Sequence, residues 1–502
     1  MLWLPAVGAL LLLLAPRENA AAQRSVALGV ALLTFGVALA LPFLFNFSAP
    51  GFQFVDVFPW IPAWGIGYSV SVDGVSLWLV LLTTLLTPIA LAAIGGSIEK
   101  DLRTFLILML LLETGMLGVF VAQDMFLFYI FFEITLIPSA LLIGMWGGAD
   151  RVRAATKYFL YTFGASVFML LGIVGLYIVH GQQTQTYTFD IDIIFNNIRT
   201  GAFVIDQTIG RLLFGAFFIG FAVKAPIWPF HTWQPLVHTQ APNNGAVDAL
   251  GFMLKIGGYG FIRFNLQLFP EASRWAAPAI AVLAVISIVY GAWVAYSQTD
   301  IKRMLAYSSL SHMGFVILGI FALNQQGLSG AVIQMVNIGL SSSALFFIVG
   351  MIAERRGTRE LPQLGGLWAV APALGGLTLV MVLASIGLPG LNGFIGEFAI
   401  MQGAWLSPEV GWPFLIPAVI GVILAAAYLL RMYRMTFMGE AHTPPTEETF
   451  DLSRRELGIL VALLVPIVAI GLYPNLLFGP MQPAVDQIAQ SLAAVVARVP
   501  AP

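Results

Sequence analysis

The sequence predicts an all-α polytopic membrane protein, a bundle of about 14 transmembrane helices, on three observations. Of 502 residues, 59% are hydrophobic and only 10% charged, against roughly a quarter charged in an ordinary soluble domain. A soluble globule could not cover so much apolar surface, whereas lipid removes the problem. The apolar residues fall in runs of about 20, the length that a hydrocarbon core of about 30 Å asks of a helix. Basic residues alternate from loop to loop, which fixes the orientation of the threading.

The first run, MLWLPAVGALLLLLAPRENA, resembles a signal peptide but lacks a basic n-region and a convincing cleavage site, so it is expected to stay as the first helix. A second run covers about residues 26–47, and a turn-rich loop with Asp56, Pro59, Pro62 and Asp73 follows. Further runs cover roughly 75–97, 104–120, 122–145, 156–179 and 209–230. The second half continues at about 246–266, 276–297, 304–323, 329–352, 367–404 with a break, 412–438 and 456–478. Between the last two, EAHTPPTEETFDLSRRE from Glu440 reads as a connector, with Asp451 or Ser453 capping the final helix.

Sixteen lysines and arginines fall in or beside odd-numbered loops: Arg17, Arg24, Lys100, Arg103, Arg151, Arg153, Lys157, Lys302, Arg303, Arg355, Arg356, Arg359, Arg431, Arg434, Arg454 and Arg455. Opposite them lie Arg199, Arg211, Arg263, Arg274 and Arg498. The positive-inside bias therefore puts both termini on the outer side.

Two spans are interrupted. The run ending at Lys224 meets Pro226 and Pro229, and the run 367–404 contains Gly387, Pro389, Gly390 and Gly393. Proline removes a donor and glycine tolerates unwound backbone. Such breaks survive at membrane depth only where protein or a hydrated cavity satisfies the freed groups, and paired breaks in two halves are the pattern of inverted-repeat transporters. The expected layout is helices 1–3 in residues 1–100 and a first repeat, helices 4–8, in 101–270 with its break near 224–230. A second repeat, helices 9–13, fills 271–440 with its break near 387–393, and a connector and helix 14 fill 441–502.

Absences exclude other classes. There is no cysteine, hence no disulfide, thiolate metal site or cysteine-ligated iron–sulfur cluster in this chain. The histidines His180, His231, His238, His312 and His442 show no metal-ligand spacing, no glycine-rich nucleotide motif is present, and no basic patch points to nucleic acid.

What stands out is ionisable groups at membrane depth. Glu133 lies in FLFYIFFEITLIP, where an isolated carboxylate must be neutral or paired. Lys224 follows Arg211 by 13 residues, about 20 Å along a helix and near mid-membrane. Lys255 lies seven residues after Asp248, near the same helix face, among Gly257, Gly258 and Gly260. Glu397 follows the second break, and His312 sits nine residues past Arg303 among Ser308, Ser309 and Ser311. A lysine at a helix centre costs roughly 2.5–3.5 kcal/mol on insertion scales. A purely structural bundle would avoid several such costs, whereas close titratable groups in a partly hydrated path exchange protons. His231 and His238 follow the first break, where proton uptake competes with loop packing as their role. The 13% aromatic content reads as packing and lipid contact.

FFEITLIP, GFAVKAPIWPFHTWQP, HTQAP, LKIGGYGFIRF, DIKRMLAYSSLSHMGF and PGLNGFIGEF resemble the antiporter-like membrane subunits of proton-pumping NADH:quinone oxidoreductase. The likeness spans roughly residues 70–440. It implies that Glu133 is the family's acid on helix 5, Lys224 its lysine on broken helix 7, Lys255 the lysine on helix 8, His312 the mid-path histidine and Glu397 the terminal acid on broken helix 12. It implies a proton path of two linked half-channels in a bacterial inner membrane, driven by quinone reduction in other subunits. NADH, FMN, iron–sulfur clusters and quinone would belong to those subunits, with no cofactor here. The partners would be other membrane-arm subunits, above all two homologous antiporter-like chains, and the lipid bilayer. The family usually has acids where Leu236 and Gln240 stand, which makes Asp248 a candidate for proton uptake beside His231 and His238.

Two alternatives remain: a subunit of a multisubunit cation/proton antiporter, and a structural membrane scaffold. The scaffold predicts that neutralising Lys224 or Glu133 alters assembly but spares coupling. The buried lysines favour protons over sodium as the transported ion.

Overall fold

In the computed structural model, which describes residues 1–250, 254–440 and 451–496, the chain is a bundle of helices. It begins with α1 (Leu4–Leu14) and α2 (Ala20–Leu44), then an antiparallel hairpin of β1 (Gln53–Ile61) and β2 (Ile66–Val72). Helices α3 (Ser76–Ile94), α4 (Leu102–Val121), α5 (Met125–Trp146) and α6 (Arg151–Thr184) follow, then the short α7 (Ile191–Thr200) and α8 (Gln207–Lys224). Four short pieces come next: α9 (Gln234–Gln240), α10 (Ala246–Leu250), α11 (Lys255–Gly260) and, after a π-helical turn over Phe261–Asn265, α12 (Leu266–Leu268). Long helices resume with α13 (Pro270–Ser297), α14 (Ile301–Phe321) and α15 (Gln325–Arg356), then α16 (Pro372–Ser385), α17 (Asn392–Leu406) and α18 (Trp412–Phe437). The described chain ends with α19 (Arg454–Leu472) and α20 (Asn475–Val496).

Eleven of the described helices are long and apolar enough to cross a membrane, fewer than the 14 expected. The shortfall has local causes. The first run yields only the 11-residue α1. Within the run 246–266 the described helices are the short α10, α11 and α12, with residues 251–253 outside the described residues, and the run 367–404 is divided between α16 and α17. At that division Gly387 and Gly390 adopt φ of 77° and 92°, open to glycine and strained for other residues. A Cβ on Gly393 would lie 2.0 Å from the Ala384 carbonyl oxygen.

Polar caps set several starts. Asp206 accepts from the backbone of Thr208 and Ile209 at the head of α8, and Asp300 from Arg303 at the head of α14. Ser453 forms a capping box with Glu456 on α19. Asp451 instead accepts from Ala373 and Leu374 and caps α16. Residues 441–450 of the expected connector, His442 among them, lie outside the described residues, as does Arg498. The last described helix is α20, beyond the expected final span: α19 stops at Leu472, and α20 packs on α15 and α13.

The expected loop around Asp56 is the hairpin. GYSVSV alternates as a strand does, and Gly65 turns the chain at φ 65°. Asp124, which caps α5, binds the hairpin through the Gly67 N–H at 3.0 Å. Burial raises the Asp124 carboxyl above its ordinary value, and does the same for Asp190, whose backbone pairs with that of Asp124.

The core lies around α14 and α15, whose most apolar windows are 94% and 89% buried, against 22% for α2 and 28% for α18. Polar side chains in the middle of α14 and α15 therefore face protein, not lipid. α14 packs on α13 and α15, and α15 on α17.

Candidate functional site

The interior carries three polar clusters. The first lies where α8 ends. Pro226 supplies no N–H, so the helix stops after Lys224, and protein groups satisfy the freed backbone. The Val223 carbonyl accepts from Trp233 Nε1 at 3.0 Å, and the Trp228 N–H donates to Ser287 Oγ at 2.9 Å. Buried Lys224 donates to Thr135 Oγ1 at 3.3 Å and to Tyr158 OH at 3.2 Å, with Nζ 5.4 Å from the Phe132 ring centroid. Glu133 stands half-buried beside Tyr129 and Ser166, within range of the Lys224 charge but not in ion-pair contact with it. The two residues thus share one neighbourhood, with the lysine turned toward hydroxyls and aromatic faces.

The second cluster joins α9, α10 and α14. His238 Nδ1 lies 3.0 Å from Asp248 Oδ1, and Lys302 Nζ lies 2.8 Å from Asp248 Oδ2. All three are buried. Sequence spacing set Asp248 near Lys255 on one helix face; residues 251–253 between them lie outside the described residues, and the Asp248 carboxylate meets His238 and Lys302. Lys255 is buried and forms no ion pair among the described residues, though its charge reaches His238. His231 is buried too, its ring edge-on to Tyr290 at 5.3 Å.

Gln240, one of the two departures from the family pattern, has a local task. Its side-chain oxygen accepts from the Asp150 N–H at 2.9 Å and its carbonyl from Gly148 at 2.8 Å, which fastens α9 to the head of α6. Leu236 packs against the core.

The third cluster surrounds Glu397 on α17. His312 Nδ1 lies 2.8 Å from Glu397 Oε1, and Gln334 Nε2 donates to the same oxygen at 3.1 Å. Asn337 continues the chain by donating to Gln334 Oε1 and to the Asn392 carbonyl, at 3.1 and 2.7 Å. Ser341 reaches Asn392 Oδ1 at 3.3 Å, and Ser308 meets Tyr428 OH at 2.7 Å. His312 and Glu397, 85 residues apart, are thus in direct contact. An acid and an imidazole in buried contact can pass and hold a proton, and the amides orient the acid.

Among the described residues, six buried charged ones lay outside the sequence-derived site: Lys302, Arg263, Asp73, Glu113, Asp124 and Glu456. Lys302 counted as a loop cation; it is 1% exposed. Arg263, counted opposite, pairs with Asp73 at 2.7 Å and donates to Tyr259 OH at 3.1 Å, all buried. Glu113 on α4 is fully buried beside Thr87 of α3, with no hydrogen-bond partner for either oxygen among the described residues. Its setting in LMLLLETGML carries the same signal that singled out Glu133. The remaining ionic contact of note is bidentate, Arg355 to Glu456 at 2.8 and 2.9 Å. Among the described residues, no three His, Asp or Glu side chains are grouped to hold a metal ion.

Residues 122–425 match the family described as NADH:quinone oxidoreductase/Mrp antiporter, transmembrane. The chain is 40% identical to NADH-quinone oxidoreductase subunit M of Rhodobacter capsulatus, over 97% of this chain and 94% of that one. A chain of respiratory complex I from Thermus thermophilus superposes with a TM-score of 0.87 at 32% identity, covering 98% of both chains. A chain of the Mrp complex from Dietzia sp. DQ12-45-1b superposes at 0.81 with 21% identity, covering 98% of this chain and 99% of that one, a likeness of fold alone.

Proposed function

Because the chain belongs to the NADH:quinone oxidoreductase/Mrp antiporter transmembrane family, we propose that it works as a subunit-M-like, proton-translocating member of a respiratory NADH:quinone oxidoreductase. It is a non-catalytic membrane subunit of a translocase, multi-pass, with partners in a multisubunit membrane assembly. The observation that carries the assignment to a proton path is the buried His312–Glu397 contact, extended through Gln334 and Asn337.

The path runs between the three clusters. A change arriving from a neighbouring antiporter-like subunit alters the distance between Glu133 and Lys224, and an approaching carboxylate favours the charged lysine while withdrawal favours its neutral form. The proton released from Lys224 moves by way of Lys255 and His312 to Glu397, which discharges it outward. His231, His238 and Asp248 form the uptake side. Read with 14 crossings, α8 with α9 and α16 with α17 are two broken helices at corresponding positions of repeats 101–270 and 271–440, preceded by helices in 1–100 and followed by 441–502. Both termini then lie on the outer side of a bacterial inner membrane, and the partners are other membrane-arm subunits, above all the two homologous antiporter-like chains.

The test uses inside-out vesicles from cells lacking the chain and from cells in which it is restored. NADH-driven acidification in sodium-free buffer should depend on the chain. Acidification that is equal without it, or that requires sodium, would contradict the assignment.

A further inference from the structure

Lys302 opens α14 and is 1% exposed, a setting no solvated loop cation shares. Its ammonium has three oxygens around it. Nζ donates to the Ala241 carbonyl at 2.7 Å and the Pro242 carbonyl at 2.9 Å, and lies 2.8 Å from Asp248 Oδ2. The two carbonyls accept hydrogen bonds and the carboxylate supplies the opposite charge, so the ammonium is held from three sides. The two carbonyls follow directly on α9, where the free carbonyls of a helix end carry negative partial charge and favour a cation. Asp248 spans the gap with its two oxygens, one to Lys302 and one to His238 Nδ1. The His238 ring is in turn held flat against Phe346, 4.8 Å between centroids and 7° between planes. The other charges acting here are Lys255 on His238, and Arg359 and Asp300 on Lys302; those last two are themselves paired at 2.9 Å.

We propose that Lys302 is a positioning residue for proton uptake: a fixed cation that holds the end of α9 and the Asp248 carboxylate so that Asp248 faces His238. Held between two carbonyls and a carboxylate, it acts as an anchor. It also ties the uptake side to the release side, because α14 carries His312 ten residues further along, about 15 Å by helix rise. Movement of α14 against α9 must break these contacts, so α14 and the uptake dyad move together. The proposal rests on the uptake role assigned above to His238 and Asp248.

The test is made in the assembled complex in native membranes, with assembly followed on native gels. Lys302→Met should lower NADH-driven quinone reduction and proton pumping at least five-fold, while NADH oxidation by a soluble acceptor that bypasses the membrane arm stays unchanged. Lys302→Arg, which keeps a cation with several donors, should recover to within two-fold of the parent. Full activity in Lys302→Met overturns the proposal, as does a Lys302→Arg variant as impaired as Lys302→Met. If Lys302→Met does not assemble, Lys302→Met/Asp248→Asn removes both buried charges; it should assemble and remain at least five-fold down. An assembled double variant with parental activity, or failure of both to assemble beside an active Lys302→Arg, makes Lys302 a folding residue and overturns the proposal. Lys224→Ala is measured alongside. Loss there with full activity in Lys302→Met removes only the anchor, whereas full activity in both removes the relay itself.

Discussion

Asp73 divides its two oxygens between two tasks, which lets one substitution separate them. Oδ1 accepts from the N–H groups of Val75 and Ser76 at 3.1 and 2.8 Å, holding the start of α3. Oδ2 pairs with Arg263 at 2.7 Å, with side chains 5% and 3% exposed. Asp73→Asn keeps an oxygen for the cap and removes the charge. Removing one partner of a buried pair costs about 3–5 kcal/mol, because the other charge is left uncompensated. The Tyr259 hydroxyl at 3.1 Å and the rings of Phe52 and Tyr259 at 4.9 and 5.2 Å remain with the guanidinium, so the loss should fall near about 3 kcal/mol. Asp73→Ala should lose about 1 kcal/mol more with the cap. Asp73→Asn/Arg263→Met leaves no buried charge and should regain most of the loss. Unfolding of the detergent-purified chain, followed by tryptophan fluorescence against denaturant, gives the ranking. A loss below about 0.5 kcal/mol in Asp73→Asn, or a double variant no better than the single, would refute the reasoning.

Tyr158→Phe keeps the ring beside Lys224 but removes a hydroxyl 3.2 Å from Nζ. A hydrogen bond to a charged group is worth about 1.5–3 kcal/mol, so the balance between the two lysine positions should shift and pumping in vesicles should slow roughly ten-fold; an unchanged rate would mean that this hydroxyl does not hold the lysine. Gln240→Ala removes the acceptor of the Asp150 N–H and should cost about 1 kcal/mol in thermal stability, with pumping per assembled complex intact. A pumping defect there would instead make Gln240 part of the uptake route.

Much of the membrane architecture can be read from the sequence because lipid imposes length and hydropathy on each helix separately. Pro226, Gly387 and Gly390 likewise announce breaks by what their own backbones cannot or can do. Counting along helices is what sets the expected depth of Lys224 and His312, and the structure brings His312 into contact with Glu397. Lys302 shows where such reading stops. In TDIKRMLAY it stands beside exposed Arg303, and only residues about 60 positions earlier, Ala241 and Pro242, reveal that it points inward. The Asp248–Lys255 spacing likewise says nothing of Asp248's partners, His238 on α9 and Lys302 on α14, which only the fold brings to it. The expected final span ran on to residue 478, although Pro474 separates α19 from α20, because apolar character alone does not mark where one helix yields to the next.

The central claim is that Lys224 belongs to a proton path coupled to quinone reduction. Its most direct test is proton pumping against electron transfer in membranes carrying Lys224→Ala, with assembly checked on a native gel. Loss of pumping together with quinone reductase activity in a fully assembled complex is the predicted result. Full pumping by an assembled Lys224→Ala complex would contradict the account and leave Lys224 a structural residue.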